Sequence, residues 1–470
     1  MAQAVYRIER FLGIDQSTEE NFLGSGYTPD ACNMCTDDGN LSVAKGFART
    51  SLLPVPGDAE IKRCIPFRHS NGDMYIVVAG NSIYAGFGGA WLELYTYPQD
   101  VDVDDFDFLE AKIGTSDYII IGNGKTGLLK FDGQTVSEFG SEAMCSDRPV
   151  RYLAMYKNRL FAAGDSEHPN RLYWSKLPGD SRSIEDWGAD EASPNVEGGH
   201  TQIGLFDNDP IVAITPLSSQ LLIFKKNSLY RLYGDKPSNF TVEEIESVTE
   251  SAAHTSIIHY GDVAYFMTQT GLYVFDGVSA HLMHDAKKIR DIMSRSDTSR
   301  TRGARTREKL YFTVRMDGED AIIEYDLMRG TYMLRNGFEV RDIFSRDNGI
   351  YIMSDRYICK FNCGESYAGK PISAHWCTPL TDLNEKTVIK QLREIYLRCD
   401  DEKGKTLKLT TQAGNNTRDY IVKLSENEVT EIPLCDEGRC FNLKLENVAG
   451  ESFGLRGGVE IALNLRGRCV

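Results

Sequence analysis

The sequence predicts an all-β protein: a β-propeller of about seven blades, with six or eight as the alternatives, followed by a C-terminal β-sandwich. Two observations predict the propeller. Short apolar strands, each followed by a polar or glycine turn and a second strand holding an aromatic residue, recur along the chain, as in "MYIVVAGNSIYAG", "DYIIIGNGKTGLLKFDG" and "VAYFMTQTGLYVFDG". Anchored on Tyr75, Tyr118, Leu160, Leu221, Ala264, Leu310 and Ile350, the unit repeats at about 40 to 46 residues, with one interval of about 60. Repeats of that length built from short strands are the mark of one four-stranded sheet per blade. The third observation is a change after Gly364, where segments such as "KQLREIYLRCD" and "KTLKLTTQAG" alternate apolar and polar residues between turns, as a sandwich requires. The division expected is residues 1–50 as an arm with propeller-closing strands, 51–366 as the propeller and 367–470 as the sandwich.

Before most hairpins lies a further apolar stretch that serves as an inner strand: "RCIPFRH", "FLEAKIG", "RYLAMY", "IVAITPL", "SIIHYG" and "VRDIFSR". A ring of blades must close, and residues 35–52 supply a candidate strand to pair with the last blade and remove exposed edges. Residues 1–34 read as an extended arm. The one long interval holds a loop over 175–210 rich in Pro, Gly, Asp and Ser, the kind of excursion that carries contacts on a rigid scaffold.

Within the second hairpin, GNGKTG at 122–127 raises the question of a phosphate-binding loop. That loop needs a helix after its lysine, to present amide donors and a dipole. Here a short strand follows, and the first glycine of the full motif would fall at Ile119. The stretch reads as a turn.

The chain has 470 residues, 41% hydrophobic and 26% charged, with a net charge of -16. That excess of negative charge opposes general binding to nucleic acid or anionic membranes. The N-terminus has no apolar stretch of signal-peptide length and no window approaches membrane-span length, so synthesis in a cytoplasm without Sec export, and no membrane insertion, are expected. The 11 cysteines are scattered and odd in number, unlike a secreted disulfide framework.

Candidate sites follow from local patterns. Asp100, Asp102, Asp104, Asp105 and Asp107 could hold calcium through clustered oxygens, but lack the glycine and terminal glutamate of the full loop; a solvated loop is favoured. Lys287 to Lys309 inverts the overall charge. It begins in a short helix, "HDAKKIRDIMSR", and its Arg295, Arg300, Arg302, Arg305 and Arg307 are candidate contacts to a partner or to DNA. The bland alternative is neutralisation of the protein's own carboxylates. Trp187, in the long loop, is a candidate platform for a sugar ring. Cys32, Cys35, Cys435 and Cys440 would form a zinc site only if the two pairs met, which their placement in different domains disfavours. No hydrolase elbow or zinc-protease helix is present. No cofactor, resident metal or catalytic residue is predicted.

"GIDQSTEENFLGSGYTPDACNMCTDDGNLSVAKGF" couples a Gly-Ile-Asp start to Asp30-Ala31-Cys32-Asn33 and a turn at Asp37-Asp38-Gly39-Asn40-Leu41. It resembles the opening of the β-propeller tail proteins of tailed bacteriophages, among them packaged-DNA stabilisation, tail-accessory and tail-hub proteins. "NRLYWSKLPGD", "LLIFKKNSLYRLYG" and "GLYVFDG" are similar to their blade strands, and "HWCTPLTDLNEKTVIKQLREIYLRC" to the strands that follow. The resemblance implies a structural virion protein without catalysis, working as a ring of several copies in the tail or head-tail junction. It implies neighbouring virion proteins as partners and, at the junction, a passing contact with the phage DNA. A tail-tip propeller that binds a receptor or glycan is the alternative, and a polysaccharide-degrading glycosidase the next.

Overall fold

The computed structural model describes the chain except residues 1, 71, 102–104, 180–181, 190–193, 205–208, 246–249, 400–404, 426–428 and 467–470. Seven antiparallel sheets form the blades of a propeller. They span 61–96, 107–138, 152–202, 211–245, 258–282, 296–336 and 342–361. The seventh takes its outermost strand from Phe47–Arg49, which pairs with Tyr357–Phe361 and closes the ring. The anchor residues of the repeat all fall in second strands of successive blades, and six inner strands lie where the apolar stretches placed them. Blade 6 is the exception. Its first strand is split into Ser296–Asp297 and Gly303–Arg305, both paired with Lys309–Met316, and is too polar to stand out in the sequence.

The continuous apolar runs have a physical reason. A strand inside a blade has both faces covered by neighbouring blades. In Ser116–Gly122, Ile119 and Ile121 pack with Phe67 and Ile76 of blade 1, while Ile120 packs with Leu153 and Leu160 of blade 3. Alternate side chains point to opposite faces, so both sets must be apolar. GNGKTG joins the second and third strands of this blade. Asn123 is buried and its Oδ1 accepts the amide hydrogens of Lys125 and Thr126, both at 2.9 Å, which makes the stretch an Asx turn.

The sandwich consists of two sheets. One is built around Gly454–Arg466 and Ile389–Cys399; the other has Phe441–Asn447 and Thr406–Ala413 at its centre. The expected arm is in fact part of it. Ala2–Ile8 pairs along Gly454–Arg466, Leu41–Val43 joins the same strand, and Ala31–Cys32 pairs with His375–Cys377. Extended polar-apolar alternation in "AQAVYRI" was a strand looking for a partner more than 450 residues away. The two domains share one core: Trp376, fully buried in the sandwich, meets Phe11 edge to face at 5.0 Å, and the same cluster runs on to Tyr332 and Leu334 of blade 6. Gly13 lies so close to blade 6 that a Cβ there would sit 2.7 Å from the Tyr332 carbonyl oxygen. The helical turns over Ala286–Ile289 and Arg290–Ser294 match the short helix expected.

Candidate functional site

The inner strands stand side by side around the propeller axis, and their first residues converge at one mouth of the ring. Six of the seven blades contribute a charged or titratable group there: Arg63, Asp105 with Asp107, Arg151, His254, Arg302 and Asp342. Each lies within a few residues of the start of an inner strand. Asp342 is the centre of one half. Its Oδ2 accepts the Cys64 amide hydrogen at 2.6 Å and its Oδ1 the Ile343 amide hydrogen at 2.8 Å. Arg302 approaches it to 3.3 Å and Arg63 to 3.7 Å, and the carboxylate is only 1% exposed. Arg302 also donates to the carbonyls of Lys62 and Arg341, so this one side chain joins blades 1, 6 and 7.

In the other half, Asp105 is paired with Arg151 and lies 3.6 Å from Nδ1 of His254. Asp107 accepts the amide hydrogens of Phe108 at 2.9 Å and Leu153 at 2.8 Å, linking blade 2 to blade 3. Burial raises the Asp107 carboxyl to about 6. Burial also works to raise Asp105, but the pull of His254, Arg151, Arg63 and Arg302 outweighs it and lowers this carboxyl. Burial, with the arginines, pushes His254 down to about 3, against the pull of Asp105. The imidazole is therefore neutral near pH 7, and the arginines are what hold Asp105 ionised. Arg63 Nε, Arg151 Nε and His254 Nε2 are buried without a protein partner. The arrangement ties blades together by ion pairs.

The structure separates the arginines that the sequence grouped. Of the five candidates only Arg302 belongs to the axial cluster. Arg295 is exposed and pairs with Asp317 at 3.1 Å. Arg300 is exposed beside Asp297. Arg305 lies over the Tyr260 ring at 4.8 Å, and Arg307 is exposed at the tip of the next turn. Within the same stretch, Lys309 pairs with Asp37. For Arg302 the alternative reading holds, because its guanidinium neutralises the protein's own Asp342. Arg302→Ser is expected to cost about 2 to 4 kcal/mol, because it leaves Asp342 under-compensated. Arg295→Ser, Arg300→Ser and Arg307→Ser should each stay within about 0.5 kcal/mol, with all four variants compared by equilibrium unfolding in urea.

Trp187 is not a sugar platform. It is 3% exposed, stacks on Tyr173 at 5.8 Å and donates from Nε1 to the Ile184 carbonyl at 3.1 Å. The long loop folds this residue back between blades 2 and 3. Parts of the loop, at 180–181, 190–193 and 205–208, lie outside the described residues, as do Asp102 and Asp104 of the calcium candidate. Asp105 and Asp107 of that candidate are engaged in the axial cluster. The four cysteines do not form a site: Cys32 donates to Asn336 at 2.8 Å, and Cys435 lies 2.6 Å from the Arg418 guanidinium.

Arg63, Arg151, His254 and Asp342 were missed because each is a single charged residue far from the others in sequence. Aligning the repeats on their inner strands would have found most of them: a charged residue stands at the head of "CIPF", "FLEA", "YLAM" and "IFSR".

No protein-family profile matches the chain, and no curated protein matches it. Solved structures do. The WD40 domain of Pan2 from Neurospora crassa is 10% identical with a TM-score of 0.44, covering 68% of this chain and 96% of that one. The extracellular domain of a hybrid two-component system from B. thetaiotaomicron is 13% identical with a TM-score of 0.44, covering 79% of this chain and 48% of that one. PorZ, a surface component of the type-IX secretion system of Porphyromonas gingivalis, is 11% identical with a TM-score of 0.39, covering 78% and 46%. The chain thus spans about half the length of the latter two proteins.

Proposed function

We propose that this chain is a non-catalytic structural protein of a tailed-bacteriophage virion, a rigid propeller and sandwich that assembles with neighbouring subunits in the tail or head-tail junction. The observation that carries the reading is where its phage-like residues lie. Gly13, Ile14 and Asn33, from the opening that resembles phage tail proteins, are the residues that fasten the sandwich to blade 6. Ile14 donates its amide hydrogen to the Tyr332 carbonyl at 2.9 Å, and Asn33 donates its own to that of Leu334 at 2.9 Å. The resemblance therefore falls on the joint of the two-domain body, beyond the blade repeat alone. Assembly also has a surface to use. Phe87 and Leu92 share one face of the outer hairpin of blade 1 and are 58% and 63% exposed, and Leu53 is hydrogen-bonded to the tip of that hairpin at Gly89.

Electron microscopy of particles labelled at the C-terminus of this protein tests the proposal. A ring of label at the neck or along the tail is the expected result, and particles without label overturn the virion reading. A second reading, hydrolysis of envelope polysaccharide, has one observation in its favour. Asp105 and Asp107 are neighbouring carboxyls whose surroundings drive their ionisation in opposite directions, as an acid and its partner require. Against it, both carboxyls are already engaged, one by an arginine and one by two backbone amides.

A further inference from the structure

We propose that Asp30, His375 and Cys377 form a binding site for a zinc-class divalent ion at the seam between the N-terminal segment and the sandwich. This rests on geometry independent of the virion reading. His375–Cys377 is a strand, so His375 and Cys377 point to one face while Trp376 between them is buried in the core on the other. The antiparallel partner strand brings Asp30 opposite: the Cys377 amide hydrogen bonds to the Asp30 carbonyl at 3.0 Å. Asp30 Oδ2 then lies 3.0 Å from His375 Nε2 and 4.0 Å from Cys377 Sγ. One ligand atom from each of the three residues lies within 4.8 Å of the others. Among the described residues no other group of three His, Cys, Asp or Glu side chains meets that condition.

A tetrahedral zinc ion, with bonds of about 2.0 to 2.3 Å, keeps its donors roughly 3.3 to 3.5 Å apart. The three side chains need move by only about an ångström to reach that spacing, a shift within ordinary rotamer freedom. One sulfur, one imidazole nitrogen and one carboxylate oxygen are a donor set that zinc accepts and that calcium or magnesium does not. Binding replaces the thiol proton with the metal: the S–H bond breaks, the S–Zn bond forms, and the proton leaves to solvent. Asp30 and Cys377 also line a cavity of about 340 Å³ together with Asp15, Gln16, Glu20 and Arg290, which leaves room for a fourth ligand from outside the protein. The Arg290 charge there is offset by Asp291 at 3.1 Å. Three protein ligands with a position open to a cavity is the pattern of a site that keeps a water or takes a ligand from outside.

The test uses the full chain, stripped with chelator and titrated with Co²⁺ alone. One equivalent should bind, with a thiolate-to-cobalt charge-transfer band and visible bands of tetrahedral intensity, all abolished by one equivalent of Zn²⁺. Cys377→Ser should remove the charge-transfer band and weaken zinc binding at least about tenfold. Cys145→Ser, which alters an exposed cysteine elsewhere, should change neither. Asp30→Asn is the second variant: its side chain is exposed, so the fold tolerates it, and zinc should raise the melting temperature of the parent but not of this variant. Absence of cobalt binding, or a charge-transfer band that survives in Cys377→Ser, overturns the proposal.

Discussion

Asp342→Ala is expected to destabilise the protein by about 3 to 5 kcal/mol, the usual cost of removing one partner from a buried ionic group. Asp342 neutralises Arg63 and Arg302 from two other blades and accepts the Cys64 and Ile343 amide hydrogens. Alanine leaves two guanidinium groups short of a counter-charge in a site only 13 to 14% exposed, with two amides short of an acceptor. Asp342→Asn separates these effects. Its amide oxygen can still take an amide hydrogen, so it should lose the charge term and keep part of the bonding, at roughly half the cost of alanine. Equilibrium unfolding in urea measures both. A loss under about 1 kcal/mol for alanine would mean that the arginines find other acceptors and that the axial pairs do not hold the ring.

Asn33→Ala is the second large effect, again about 3 to 5 kcal/mol, but at the joint between domains. Asn33 is 1% exposed and holds a left-handed backbone with φ of 55°. Its Nδ2 donates to the Ser373 carbonyl at 2.7 Å and the Asn336 carbonyl at 3.2 Å. Its Oδ1 accepts from the Asn336 amide at 3.0 Å and the Tyr367 hydroxyl at 2.7 Å. Alanine leaves these groups to re-pair among themselves in a buried site, at a net cost of about 2 to 4 kcal/mol, the loss of one or two hydrogen bonds' worth of satisfaction, and adds about 1 kcal/mol because alanine tolerates the left-handed backbone less well than asparagine. Asn33→Gly should recover that last part and nothing else. Because the lost bonds join blade 6 to the segment leading into the sandwich, the parent should unfold in one transition and this variant in two. Limited proteolysis should then cut between residues 362 and 374. One sharp transition in the alanine variant would argue that the shared apolar core alone couples the domains.

The blades were legible because each repeats the same solution to the same problem. Strands covered on both faces must be apolar throughout, as Ile119, Ile120 and Ile121 are, and turns between them must be polar. The closing strand at Phe47–Arg49 was legible for a topological reason, since a ring with an open edge is unstable. Pairing across the whole chain was not. Ala2–Ile8 carries the alternation of a half-covered strand, yet nothing local names Gly454–Arg466 as its neighbour. The axial cluster was hidden for a related reason: charges such as Arg63 and Asp342 acquire meaning only when the ring sets them side by side. Trp187 misled because an aromatic in a polar loop reads as exposed, while the loop exists to fold it inward. The grouping of Asp30, His375 and Cys377 was invisible because Asp30 stands far from "HWC" in sequence and becomes its neighbour through one strand pair.

The closing strand also sets an order of events during synthesis. Phe47–Arg49 leaves the ribosome before its partner, Tyr357–Phe361, which follows only after some three hundred further residues. At about 5 to 20 residues per second, the strand waits roughly 15 to 60 s with its edge unpaired. During that time the nascent chain carries the beginning of a lock whose other half has not been made. Chaperones that shield extended apolar segments should therefore matter to yield, and a circular permutant that begins at the turn between blades 1 and 2 should shorten the wait for this strand and depend on them less.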